Sequence, residues 1–182
     1  RQDIVLPDEQ DEMVKKVTSA VSSEKTKTIV INASGSAVSM PWSDHGNVHA
    51  ILQSWFGGQR CGKAIAEILF GKSQPLGRLP MTWPKSIKDH SSFDHFPGKK
   101  DGTGFSISYD EQTLVGHRWY EAKSITPLFW FGFGLSFSNV EISATKTQFQ
   151  MDKDGIAQIC MNVKNLSEEY SAKHTIQLYH LD

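Results

Sequence analysis

The chain has 182 residues, 38 % of them hydrophobic and 21 % charged, with a formal net charge of −1. That balance is ordinary for a globular domain and excludes the strong positive field that draws a protein to nucleic acid or an anionic membrane. No apolar run reaches the roughly 18 residues of a membrane span, and the seven histidines form no HxH or HExxH pair of metal-ligating spacing.

In chain order, residues 6–24 predict a helix. Pro7 suits a first turn, acidic Asp8, Glu9, Asp11 and Glu12 favour its positive end, and Met13, Val14, Val17 and Val21 recur at helical spacing. The β-branched run at 27–35, closed by Gly35, predicts a buried strand and loop. Ser43 or Asp44 is positioned to cap a short helix through Val48, Ile51 and Leu52, followed by a short strand over 53–56. Residues 62–71 predict a helix with Ala64, Ile65, Ile68 and Leu69 on one face and Gly71 at its end. A turn at 73–78 leads to a strand over 78–83 that holds Pro80 as an edge residue.

Residues 85–106 are polar and aperiodic and read as a long surface loop. The aromatic, glycine-containing stretches 113–123 and 127–137 read as packed loops and short strands. From residue 139 the period becomes two. Three strand-like runs, 139–150, 155–165 and 174–181, begin an antiparallel β-sandwich that three strands cannot close. The fold class is therefore α/β: the second half of an α/β sandwich, a mixed sheet with flanking helices, over residues 1–138, then an incomplete antiparallel β-sandwich over 139–182. Arg at position 1 and a strand pattern ending with the chain predict a piece of a longer polypeptide. The compartment stays open, extracellular and cytoplasmic both being compatible. Cys61 and Cys160, placed in different domains, are read as two thiols rather than a disulfide.

Gly57, Gly58 and Gly62 raise the possibility of a phosphate-binding loop. Lys63 is followed by Ala64 rather than Ser or Thr, and the spacing does not fit GxGxxG. These glycines are therefore read as tight turns around a helix. The stretch 132–136 likewise lacks the Gly-x-Ser-x-Gly pattern of a nucleophile elbow.

Five stretches, in order, resemble glycoside hydrolase family 3, the β-glucosidase-like enzymes. "RQDIVLPDEQDEMV" looks like the segment after the family's Glu-Gly-x-Asp-Arg motif, with Arg1 as its arginine. "WFGGQRCGKAIAEILFGKSQPLGRLPMTWP" is similar to the glycine-rich signature. "YDEQTLVGHRWYE" resembles Tyr-x-Glu…Val-Gly-Tyr-Arg-Tyr-Tyr, and "PLFWFGFGLSFS" resembles Pro-Leu-Phe-Pro-Phe-Gly-His-Gly-Leu-Ser-Tyr. "CMNVKN" with "IQLYHL" looks like the fibronectin type III-like domain. The sequence departs from the family pattern at Arg60 (usually glutamate), Cys61 (often glycine), His117 (tyrosine) and Trp130 (proline).

The resemblance implies an upstream (β/α)8 barrel in the same polypeptide and a β-glucoside or oligosaccharide substrate. It implies no cofactor, no metal, no nucleic-acid partner and no membrane, and leaves the oligomeric state open. Retaining glycosidases use two carboxylates about 5 to 5.5 Å apart. By the resemblance, the nucleophilic aspartate lies on the barrel and the acid/base glutamate four positions before Arg1, so no catalytic residue is carried onto this chain. The residues left to consider as substrate contacts are Trp42, Glu111 and Trp119. Aromatic faces stack on pyranose rings, but tryptophans also fill cores. Glu111 lies near Tyr109, Trp119 and Tyr120 in sequence, and a structural tie to Arg118 is its alternative role. Asp94 and Asp101 sit in the polar loop, as rim residues of a site or as plain surface. Of the Asn-x-Ser sequons at Asn32 and Asn165, the first ends a buried strand and the second lies at a turn. A non-catalytic carbohydrate-binding or adhesion module is the competing function.

Overall fold

The computed structural model describes residues 3–7, 9–22, 24–144, 153–157 and 159–179. Contacts divide the chain into two compact units, one of Arg1–Ala66 with Leu79–Phe133, the other of Glu67–Arg78 with Gly134–Asp182.

In the first unit, helix α1 spans Gln10–Ala20, with Asp11 and Glu12 in its first turn. It buries Val14 and Thr18, and the Thr18 hydroxyl donates back to the Val14 carbonyl at 2.9 Å. Asn47 closes the other end, donating from Nδ2 to the carbonyls of Thr18 and Val21 at 2.7 and 3.1 Å. Strand β1, Thr28–Asn32, pairs in parallel with β2, Val48–Gln53, in the register Ile29↔Ala50 through Asn32↔Gln53. The helix expected through Val48, Ile51 and Leu52 is therefore a strand. A run as short as Val48–Leu52, with four apolar residues around His49, fits either period, and the edge of β1 supplies the backbone partners that decide it. Ser43 and Asp44 lie in a turn of the crossover instead of capping a helix.

A 3-10 turn, Gly58–Arg60, runs into helix α2, Cys61–Leu69. A Cβ on Gly57 would stand 2.5 Å from Cys61 Sγ, and Gly58 has φ +66°, so both glycines serve the entry turn. The expected strand over 78–83 reduces to a bridge, Trp83↔Phe129. Leu79 N donates to Phe133 O at 2.8 Å and Trp83 N to Phe129 O at 2.7 Å, while Met81, whose place in such a ladder falls between them, makes no bond to Phe131. The stretch read as loop holds a second 3-10 turn, Ile87–Asp89, capped by Ser86, and a hairpin. Its strands β3, Lys99–Asp101, and β4, Gly104–Ser106, turn at Gly102, which has φ +57°. Residues 117–122, read as loop or strand, form helix α3, His117–Ala122, started by Gly116 at φ +57°.

The core of this unit is Val14, Val38, Met40, Trp42 and Trp83. Each tryptophan buries its ring and satisfies its N–H: Trp42 Nε1 donates to Asp11 Oδ1 at 2.8 Å, Trp83 Nε1 to Val38 O at 2.7 Å. A buried indole without such a partner is costly.

In the second unit, β5, Val140–Ala144, pairs antiparallel with β6, Met161–Asn165. The remainder of the first run, 145–150, lies outside the described residues. Residues 174–179 of the third run are not in a strand, and 180–181 lie outside the described residues. Ser138 Oγ donates to Gln74 Oε1 at 3.0 Å, and Phe137 meets Tyr170 at 5.6 Å between ring centroids. A Cβ on Gly134 would stand 2.7 Å from Gly77 O and 2.8 Å from Arg78 Cδ. Gly134→Ala forces these segments apart and is expected to cost about 1 to 3 kcal/mol, read as a lower unfolding midpoint. An unchanged midpoint would show that the two segments yield freely.

The chain is thus α/β, a parallel strand pair with helices followed by an antiparallel strand pair.

Candidate functional site

A cleft of about 440 Å³ opens at the C-terminal end of β1, bounded by the loop Asn32–Ser36 and by Gln10 and Met13 of α1. Ligands of parallel sheets gather at such strand ends. Among the described residues none of its lining side chains is ionisable, and the hydroxyls it holds are those of Ser34 and Ser36. Asn32 at its floor is buried and committed, donating from Nδ2 to Gln53 Oε1 at 2.6 Å and Ser34 Oγ at 2.9 Å.

Trp42 borders this cleft and is 2 % exposed, its ring in the core and its N–H on Asp11. Trp119 lies in α3. Its Nε1 donates to Asp89 O at 3.1 Å, and Lys123 Nζ stands 5.0 Å over its ring. Glu111 is half-buried in the turn before α3, and its Oε2 is buried with no hydrogen-bond partner among the described residues. The structure does not assemble the three around one cavity: Trp42 lines the cleft beside β1, while Glu111 and Trp119 belong to the turn and helix around α3. Asp94 and Asp101 are exposed, the latter at the tip of the hairpin. Asn165 Nδ2 donates to Tyr170 O at 2.8 Å, which engages the nitrogen that a glycan would occupy.

Among the described residues, Tyr120 is the one strongly perturbed acid. Its hydroxyl is buried without a partner among the described residues, and its pKa is pushed up from 10.0 to about 12, first by burial and then by the charge of Asp89. Burial disfavours the phenolate, and a nearby carboxylate disfavours it further. Such a phenol stays neutral at working pH and is no general base.

One cluster escapes a linear reading. His95, Ser108 and Asp110 meet at the base of the β3–β4 hairpin, with Ser108 Oγ donating to Asp110 Oδ2 at 3.1 Å and standing 3.3 Å from His95 Nδ1. The signal is Gly102, the first of the two loop residues Gly102-Thr103 of a tight hairpin. The register it starts, Asp101↔Gly104 and Lys99↔Ser106, carried outward sets His95 opposite Asp110.

Among the described residues, no three His, Cys, Asp or Glu side chains gather as a metal site, and no helix is long and apolar enough to cross a membrane.

The glycosyl hydrolase family 3 C-terminal domain matches residues 1–137. The chain belongs to this family. Within the family 3 chain, three of the four departures from pattern have structural roles: His117 stacks on Phe131 at 5.5 Å, Trp130 meets Tyr120 edge-on at 6.4 Å, and Cys61 packs under Gly57. No disulfide joins Cys61 to Cys160. The chain is 34 % identical over 178 residues to a beta-glucosidase of Rhizobium radiobacter, covering 97 % of itself and 21 % of that protein. It is 34 % identical over 175 residues to thermostable beta-glucosidase B of Acetivibrio thermocellus, covering 96 % and 22 %. Among solved structures, the beta-glucosidase of Kluyveromyces marxianus in complex with glucose superposes with a TM-score of 0.79 at 32 % identity, over 93 % of this chain and 19 % of that one. The chain thus spans about a fifth of the length of these relatives.

Proposed function

We propose that this chain is the C-terminal portion of an exo-acting β-glycosidase, a β-glucosidase, that removes terminal non-reducing β-D-glucosyl residues by a retaining mechanism with two carboxylates. In this reading an upstream (β/α)8 barrel of the same polypeptide supplies the nucleophilic aspartate. The acid/base glutamate stands just before Arg1, and the chain itself supplies no catalytic group. Residues 1–138 complete the α/β sandwich, and 139–182 begin a fibronectin type III-like domain. The observation that carries the reading is the match of nearly the whole chain to about a fifth of two beta-glucosidases. The cleft without a titratable side chain agrees with it.

In a retaining mechanism one carboxylate attacks the anomeric carbon while the other protonates the leaving oxygen, and the two must hold their spacing. The chain's part is positional. Ser39 N donates to Ile4 O at 2.8 Å, and Leu6 packs against the core. These contacts fix the segment that would follow the acid/base glutamate, and a displacement of about 1 Å there is enough to cost two orders of magnitude in rate.

The test is hydrolysis of an aryl β-glucoside by the full-length polypeptide and by a version ending before this segment. Activity is expected in the first and loss of at least about a hundredfold in the second. Full activity in the truncated form would remove the positional role. Inactivity of the full-length form on aryl β-glucosides would favour a non-catalytic carbohydrate-binding or adhesion module.

A further inference from the structure

Residues 3–6 run ahead of α1 and are anchored at two points. Ser39 N donates to Ile4 O at 2.8 Å, with Ser39 Oγ 3.5 Å from the same oxygen, and Leu6 packs against the core. The shelf that presents Ser39 is stiff. Its neighbours Val38 and Met40 are 1 % and 4 % exposed, and Trp83 Nε1 holds Val38 O at 2.7 Å. A backbone donor between two close-packed side chains does not follow a moving partner, so Ile4 O is fixed in the frame of the core.

One side chain acts ahead of these anchors. Val5 N donates to Asp3 Oδ1 at 3.2 Å. The bond closes a turn over Asp3, Ile4 and Val5, of the kind that aspartate and asparagine make with the N–H two residues on. The anchors at Ile4 and Leu6 leave the two soft backbone dihedrals of each earlier residue open. The Asp3 bond restricts them and so sets the direction in which the chain leaves Ile4. This role needs an acceptor oxygen and no charge, and an amide oxygen supplies one as a carboxylate does.

We propose that Asp3 is a positioning residue for the general acid of the full-length polypeptide. The proposal rests on the β-glucosidase reading above, in which the acid/base glutamate stands just before Arg1. Asp3 touches neither substrate nor reacting atoms. It sets the path of the chain between that glutamate and Ile4. In the step it serves, the nucleophilic carboxylate bonds to the anomeric carbon, the electron pair of the breaking C–O bond goes to the leaving oxygen, and the glutamic acid gives that oxygen its proton. A strongly acidic phenol leaves as phenolate without the proton, whereas a weakly acidic one needs it. A misplaced acid therefore slows only the second.

The test is kcat/KM of the full-length polypeptide on phenyl β-glucoside and on dinitrophenyl β-glucoside, beside the unfolding midpoint. Asp3→Ala is expected to lower the phenyl value about three- to tenfold and to leave the dinitrophenyl value within about twofold. The midpoint should not move, since Asp3 lies outside the core. Asp3→Asn should restore the phenyl value. An equal fall on both substrates, no fall on either, or an asparagine variant as slow as alanine would each overturn the role, the last by assigning the effect to the charge of Asp3. A wild type inactive on both glucosides would remove the β-glucosidase reading and the proposal with it. An active wild type with an indifferent Asp3→Ala would remove the proposal alone.

Discussion

Trp83→Ala is expected to destabilise the first compact unit by about 3 to 5 kcal/mol, the range for emptying a packed tryptophan site. Trp83 is 1 % exposed and sits at the crossing of three structural ties. Its indole N–H holds Val38 O at 2.7 Å, its ring leans on Trp55 at 6.0 Å, and its backbone N–H reaches Phe129 O at 2.7 Å. Alanine keeps the last tie and loses the other two, leaving both a cavity and an orphaned carbonyl. Trp83→Phe separates these costs. It retains most of the ring and drops the N–H, so it should cost less than alanine, about 1 to 3 kcal/mol. Thermal unfolding of the full-length polypeptide reads both. The alanine variant should move the midpoint of the transition for this unit down by more than about 10 °C, with the phenylalanine variant between it and the wild type. If the full-length polypeptide is the β-glucosidase proposed above, its hydrolysis of an aryl β-glucoside should fall in proportion to the folded fraction, with KM unchanged in what remains. An alanine variant that melts with the wild type would mean that Val38, Met40 and Trp42 hold this core without Trp83.

The elements that could be read from sequence are those whose pattern exceeds one local solution. In α1, four apolar residues at helical spacing behind an acidic start leave no alternative, and Ala64, Ile65, Ile68 and Leu69 do the same for α2. Residues 48–52 were misread because the deciding partner is β1, twenty residues away, and a parallel pairing leaves no local trace. The aromatic stretch 113–123 reads as packed loops and short strands, yet Gly116 at φ +57° starts a helix, His117–Ala122, whose Tyr120 is buried. The strand expected over 78–83, with Pro80 at an edge, is reduced to the single bridge Trp83↔Phe129. The family was legible because five motifs occur in order, each weak alone. The site was less so. Trp42 suggests sugar stacking in a list of residues, and only the packing around it reveals a ring in the core with its N–H on Asp11. His95 and Asp110 lie fifteen positions apart and become neighbours only once the Gly102-Thr103 turn sets the register.

Tyr120→Phe is expected to raise stability at neutral pH and to remove a loss at alkaline pH. The hydroxyl is buried without a partner among the described residues, and a group so placed costs about 1 to 3 kcal/mol. Phenylalanine keeps the ring against Trp130, 6.4 Å away and edge-on, and deletes the unsatisfied atom. The alkaline effect follows from ionisation. The folded state prefers the neutral phenol, because burial and then the charge of Asp89 raise its pKa from 10.0 to about 12. The unfolded chain releases this proton near pH 10 and the folded chain only near pH 12. The stabilisation is therefore complete below pH 10, falls as the pH climbs through that window, and is gone above it. Two units correspond to about 2 to 3 kcal/mol. The wild-type unfolding midpoint should decline more steeply between pH 10 and 12 than that of the phenylalanine variant, while the two run parallel from pH 7 to 9 with the variant higher. Parallel curves through the alkaline window would show that Tyr120 titrates as an ordinary phenol and that water reaches its hydroxyl. A variant less stable at pH 7 would show that the hydroxyl holds a bond that only the full-length polypeptide supplies.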